Sequence, residues 1–322
     1  TDASFSGAEK YGMPGGIYVN CMLLSGGKVL LGCDDGLKSM DPGSFEIASL
    51  WSGSGIVRLC RAADGRIWLG TEADGVWAYD TDAGIGRHLT KQSCGLNSNY
   101  IKDLATDGEG ALWIGTFSGL NICDCDGNPI KSVTYSPDER DGLTQAYVNC
   151  LMCDSQGGMW TGTYYGGLNY YHPLRDRFVQ SRSLESLNRL SDHIFNSIVE
   201  DGNGDLWIGT DIGDIIHYDR AKQRFSSFYF HGGDLDKIPF TEIKSILTTE
   251  RYVYVCAYAG GMLVYDKRTG RRAYYNQSLG NLPSSKIYSL CRSGDGGLWI
   301  ATLDGMYHFN PEKGTVAGLH TD

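Results

Sequence analysis

Several groups of residues in this 322-residue chain have types and spacings that chemistry uses. Tyr and Phe recur beside Asp and Glu in short glycine-bounded stretches: Asp34-Asp35, Glu72, Asp74, Phe117, Tyr164-Tyr165, Asp211, Asp214, Tyr258 and Asp304. A second set, Tyr18, Asn99, Tyr100, Tyr147, His193, Phe240 and Lys286, precedes apolar alternating runs. Aromatic rings interleaved with carboxylates suit sugars: a ring face takes the C–H face of a pyranose, and carboxylates bond its hydroxyls. The ordinary alternative is a set of exposed hairpin residues. Glu72, Phe117, Tyr164, Tyr165, Asp211, Tyr258, Tyr100, Tyr147 and His193 are the candidate ligand-binding residues. An acidic rim repels a sulfated or uronate ligand unless basic residues intervene; Arg182, Arg189 and Lys237 stand in long loops that bring them near.

Metal and nucleophile chemistry are less well served. Asp201-Gly202-Asn203-Gly204-Asp205 opens like a calcium loop, but Leu206 stands where that loop needs Gly and Ile212 where it needs Glu. Sister turns begin at Asp107 and Asp154, so a structural role comes first. His231, Asp234 and Asp236 read as a solvated loop before a metal site. Cys150 and Cys153 form a C-x-x-C inside a strand pattern, where residues three apart point to opposite faces. Cys123 and Cys125 share a face but lack two further zinc ligands. Most of the ten cysteines, including Cys21, Cys60, Cys256 and Cys291, sit in apolar runs and read as small buried hydrophobes. Of the seven histidines, only His193 and His231 fall where a general base would be central; His88, His172, His217 and His308 lie in or at the ends of strands. No catalytic residue, metal or cofactor is assigned.

The elements that position these residues come from a repeat. Leu112-Trp113-Ile114-Gly115-Thr116 returns as Leu206-Trp207-Ile208-Gly209-Thr210, with variants around Trp68, Trp160 and Trp299 and degenerate copies around Leu30 and Tyr254. The Trp positions are spaced by 38, 45, 47, 47, 47 and 45 residues. Each unit reads as an alternating run, an Asp/Gly turn, the Trp strand, a glycine turn, a third strand and a more polar fourth. Four short strands at this period are the pattern of a propeller blade, and nothing shows a helical period over ten residues.

The expected fold is therefore all-β, a seven-bladed β-propeller of four-stranded antiparallel blades in one domain over residues 1–322. The blades fall at about 16–50, 55–90, 100–135, 147–181, 194–230, 242–275 and 286–319. The Trp plugs the space between blades, and the glycine two residues later leaves room for that plug or for the next blade. Gly36, Gly75, Gly119, Gly166, Gly213, Gly260 and Gly305 supply positive φ in the second turn. Residues 1–15, with Phe5 to Tyr11 as an outer strand, are expected to close the ring beside the last blade; Thr315 to Leu319 is the rival segment.

Composition agrees. Glycine, at 44 residues, is about twice the usual ~7%. Net charge is −10, which argues against nucleic acid and anionic membrane surfaces. No apolar run reaches the ~18 residues of a membrane span. The opening residues Thr1 to Phe5 carry no leader pattern, as after signal removal or in an excised piece.

Asn196-Ser197-Ile198, then Asp201 through Thr210, then Gly213 to Asp219 resemble the two-component regulator propeller repeat, and Ser98 to Asp124 and Ser285 to Asn310 are similar. The resemblance covers essentially the whole chain. It implies a periplasmic sensor propeller of a Bacteroidetes hybrid two-component histidine kinase, responding to an oligosaccharide or other small ligand. It also implies neighbouring propeller and β-sandwich domains in the same polypeptide, a dimer in the full receptor, and no catalysis by this piece. A propeller enzyme, streptogramin-lyase-like or glycan-cleaving, and a pure protein-docking ring are the alternatives.

Overall fold

The computed structural model describes residues 18–135, 142–174, 177–180, 194–228 and 241–320. Its 28 strands form seven four-stranded antiparallel sheets, each built from four strands consecutive in sequence. The inner strands are Val19–Ser25, Ile56–Arg61, Ile101–Thr106, Val148–Cys153, Phe195–Glu200, Thr241–Thr248 and Ile287–Arg292. Each touches the inner strand of the blade on either side, and the first touches the last, so the sheets close into a seven-bladed propeller. One helical turn, Lys91–Cys94, is capped by Thr90, whose hydroxyl accepts from the Ser93 amide at 3.0 Å.

Burial explains the closure. The apolar residues divide into seven clusters, each shared by two neighbouring blades. A blade alone would expose both faces, so stacking supplies the core. Trp207 faces Ile243, Ile246 and Val255 of the following blade, and Trp160 faces Phe195, Ile198 and Ile208. Where the motif is degenerate, Leu30 and Tyr254 fill the same place. The glycine after Trp makes room for the next blade: a Cβ on Gly209 would lie 2.4 Å from Ile243 Cγ2, and one on Gly115 would lie 2.6 Å from Val148 Cγ1.

The outermost place in the last blade is taken by Thr315–His320, which pairs with Gly305–Asn310. The segment Phe5 to Tyr11 lies outside the described residues. One turn differs from expectation. Gly166 does not take the positive φ of the fourth blade's second turn; Tyr165 (φ 53) and Gly167 (φ 80) do. Elsewhere this glycine is fixed by crowding as well as by φ. A Cβ on Gly75 would stand 2.2 Å from the Leu89 carbonyl oxygen of the outer strand.

All ten cysteines are free thiols. Cys150 packs toward the fifth blade and Cys153 toward the third, on opposite faces as the strand period requires. Burial pushes the Cys21 thiol up to about 12, and Cys150 and Cys256 are pushed up as well. Thiols so placed are inert packing groups.

Candidate functional site at the channel mouth

Antiparallel pairing puts three features at one end of each blade: the start of the inner strand, the hairpin between the second and third strands, and the end of the outer strand. In the fourth blade, Thr163 pairs with both Val148 and Gly167. A backbone hydrogen bond repeats the arrangement. The hairpin amide donates to the carbonyl just before the inner strand in Asp34–Tyr18, Glu72–Gly55, Phe117–Tyr100, Tyr164–Tyr147, Asp211–Ile194 and Leu303–Lys286, at 2.8–3.3 Å. The two sets of loop residues therefore meet around the channel.

Every inner strand also carries a bulge, at its second residue in six of the blades and at its fourth in the sixth blade. The residues skipped by the pairing are Asn20, Val57, Lys102, Asn149, Asn196, Lys244 and Tyr288. A bulge frees its residue from strict alternation. Here it frees Asn20, Lys102, Asn149, Asn196, Lys244 and Tyr288 for the mouth, while Val57 still packs against the core between the second and third blades. Asn149 donates to Asn196 Oδ1 at 2.6 Å, and Asn20 donates to Asp34 Oδ1 at 2.7 Å.

On the third and fourth blades the loops build one continuous aromatic arc. Tyr100 meets Phe117 edge-on at 5.7 Å, Phe117 stacks on Tyr147 at 4.2 Å, Tyr147 stacks on Tyr164 at 4.9 Å, and Tyr164 meets Tyr165 at 4.7 Å. The arc is open to solvent: Tyr100 is 52% exposed and Phe117 46%. The Lys102 ammonium lies 5.2 Å from the Phe117 ring and 5.4 Å from that of Tyr147.

A second group stands on the sixth and seventh blades. Tyr258 and Tyr288 meet edge-on at 5.6 Å, and Lys244 and Lys286 lie 5.7 and 5.8 Å from the Tyr258 ring. Burial, then the Tyr258 hydroxyl beside it, pushes the Tyr288 phenol up. Lys286 also lines a cleft of about 520 Å³ with Asn276, Gln277, Ser285 and Asp304. One step deeper in the channel, Arg58 Nε pairs with Asp103 Oδ1 at 2.6 Å. Burial pushes the Asp103 carboxyl up, against Arg58 and the Leu151 and Leu104 amides, which pull it down.

Of the residues expected from sequence, five, Tyr100, Phe117, Tyr147, Tyr164 and Tyr165, come together in the arc. Tyr258 belongs to the second group. Glu72 is exposed on the second blade, and Asp211 is tied to its own loop, where Oδ1 accepts from the Ile194 amide at 3.3 Å. Neither touches an aromatic group. His193, Phe240, Arg182, Arg189, Lys237, His231, Asp234 and Asp236 lie outside the described residues. Lys102, Lys244 and Tyr288 were missed because strand alternation does not predict the direction of a bulged side chain.

The Asp/Gly turns lie at the opposite end. Asp201 Oδ1 accepts from the Asn203 amide, and Oδ2 accepts from the Trp207 indole and Lys267, both at 3.2 Å. Its oxygens serve the blade and its neighbour, as the structural reading required. Among the described residues, no cluster of three His, Cys, Asp or Glu could hold a metal ion.

The sequence model described as "Two component regulator propeller" matches residues 50–73, 95–118, 142–165, 189–211 and 281–304. The chain belongs to the two component regulator propeller family. Each match ends at or next to the second-to-third-strand hairpin, so this family unit straddles a blade boundary. The matches fall on blades two, three, four, five and seven; the Trp position in blades one and six holds Leu30 and Tyr254.

In fold, this two component regulator propeller is similar to the extracellular domains of two proteins from B. thetaiotaomicron described as hybrid two component systems. For BT3049 the identity is 22% and the TM-score 0.55, over 94% of this chain and 45% of that one. For BT4673 the values are 16% and 0.54, over 97% and 48%. A third relative in fold is PorZ of Porphyromonas gingivalis, described as an essential surface component of the type-IX secretion system. Its identity is 17% and its TM-score 0.70, over 92% and 47%. The chain spans about half the length of each. No curated protein sequence matches it. Among the described residues, no helix is long and apolar enough to cross a membrane.

Proposed function

We propose that this propeller is the extracytoplasmic ligand-sensing part of a hybrid two-component sensor histidine kinase, and that it responds to a glycan fragment held at the channel mouth. The observation that carries the reading is the arc from Tyr100 to Tyr165. The rings stack through Tyr147, yet Tyr100, Phe117, Tyr164 and Tyr165 stay exposed and leave uncovered ring surface for a flat apolar partner. A pyranose presents such a face, and the bulge residues Asn149 and Asn196, bonded to each other, are the nearest polar candidates for its hydroxyls.

Sensing requires differential binding: the ligand stabilises one arrangement of the receptor over another. The seven interblade cores favour a propeller that moves as one body, so the change falls between it and the neighbouring domains of the same polypeptide. The chain itself does not catalyse in this reading. Four histidines are engaged in their own blades: His172 with the Gln156 carbonyl, His217 with Asp205 and His308 with Asp295 at the end away from the mouth, and His88 with the Asp74 carbonyl of the mouth-end hairpin.

The test is calorimetric titration of the purified chain with plant and host oligosaccharides, with chromatography of the mixture afterwards. Binding without product supports the sensor. Product would make this an enzyme. Failure of every glycan would favour the docking ring, a reading to which the fold likeness to PorZ lends weight.

A further inference from the structure

We infer that the mouth selects an acidic saccharide, one carrying a carboxylate or sulfate; this rests on the glycan reading above. The chain has ten more acidic than basic side chains, and carboxylates crowd this face, yet the groups that reach the aromatic rings are ammonium ions. Lys102 lies beside the Phe117–Tyr147 stack, and Lys244 and Lys286 lie near the Tyr258 ring. Among the described residues neither Lys102 nor Lys286 has a carboxylate within ion-pair distance. Lys244 has one, Glu242 at 3.2 Å. Other mouth carboxylates are engaged elsewhere: Asp34 bonds Asn20, and Asp35 pairs with Lys38.

Position sharpens the point. Lys102 and Lys244 occupy the same bulge place in the third and sixth blades. Three blades apart in a ring of seven, they stand on nearly opposite sides of the mouth, with Lys286 one blade further on. Arg58 below them is already neutralised by Asp103. An unpaired ammonium over a ring face keeps its N–H donors free for a ligand while the ring offsets part of its lost hydration. A saccharide stacked on the arc places a ring substituent beside Lys102, and a negative substituent gains a charge-assisted hydrogen bond that a hydroxyl does not. Lys286 would hold a second acidic group of a longer fragment, with Lys244, already paired to Glu242, beside it.

The experiment titrates the whole chain with a galactose trimer, the same trimer oxidised to the uronate, and the same trimer sulfated, at low and high salt. The acidic trimers are expected to bind at least tenfold more tightly than the neutral one, and to lose most of that margin at high salt. Lys102→Met and Lys286→Met, each with an unchanged melting temperature, are expected to weaken the acidic trimers tenfold or more and to leave the neutral one within about twofold. Neutral binding equal to or tighter than acidic overturns the inference and leaves the glycan reading standing. Binding of none of the three also overturns this inference, and the oligosaccharide panel above decides the glycan reading.

Discussion

Trp160 donates its indole N–H to Asp154, six residues earlier, at 2.9 Å, and the same carboxylate oxygen takes Arg220 of the next blade at 3.1 Å. Trp113 repeats the first bond with Asp107 at 2.8 Å. Trp207 repeats it with Asp201, where Lys267 replaces the arginine. The repeat's aspartate thus fastens the turn, the plug and the following blade. In the seventh blade the turn keeps its form but carries Ser293, and the Trp299 indole N–H is buried without an acceptor. Ser293→Asp should therefore stabilise the protein by about 1 kcal/mol in urea unfolding. Asp154→Ala, which strands a buried indole and an arginine, should cost about 3 kcal/mol. If neither substitution moves the midpoint, the hydrogen bond carries no weight.

Trp207→Ala should cost ~3–5 kcal/mol, because Ile243, Ile246, Val253 and Val255 cannot collapse into the space it leaves. A loss under ~1 kcal/mol would show that blades do not depend on this plug.

Gly209→Ala drives a methyl to within 2.4 Å of Ile243 and should cost about 1–3 kcal/mol. In the seventh blade Ala301 holds this place against Val19, so that interface is built around a methyl. A neutral Gly209→Ala would mean that the blades slide apart at no cost.

Acid should unfold the protein through its turn aspartates. Asp80 is held below the usual carboxylate range by the Ala83 and Asp82 amides, and Asp219 by Lys222. Asp124 is held down by Asn128; in Asp201 burial works upward, but the Asn203 amide, the Trp207 indole and Lys267 outweigh it. A carboxyl lowered on folding contributes stability above its unfolded value of ~3.9, and that stability is lost as pH falls through the folded value. Asp103, raised by burial, works the other way but is one group. Urea midpoints should be flat near neutrality and fall below about pH 4. A midpoint unchanged at pH 3 would contradict the assignment.

The repeat made the architecture legible because a Trp strand every ~45 residues has few other ways to bury its faces. The inner strands begin within three residues of the expected blade starts. Phe117 and Tyr147 could be placed on one face from hairpin logic alone. Their stacking could not, because it joins two blades and depends on the turn of one against the next. Lys102 and Lys244 were hidden for a different reason. Each follows or precedes buried residues in an alternating run, and only the bulge decides that it faces the channel. Glu72 and Asp211 looked equivalent to Phe117 in sequence, but among the described residues no ring contact involves either of them.

The most direct test of the central claim is thermal melting of the chain with an oligosaccharide panel, alongside the double variant Tyr147→Ala, Tyr164→Ala. A ligand at a hundred times its Kd should add ~2.7 kcal/mol and raise the melting point of the native chain. The variant should melt close to the native chain without ligand and show no shift with it. A shift that survives loss of both rings would place the ligand elsewhere, and no shift with any glycan would contradict the sensor reading itself.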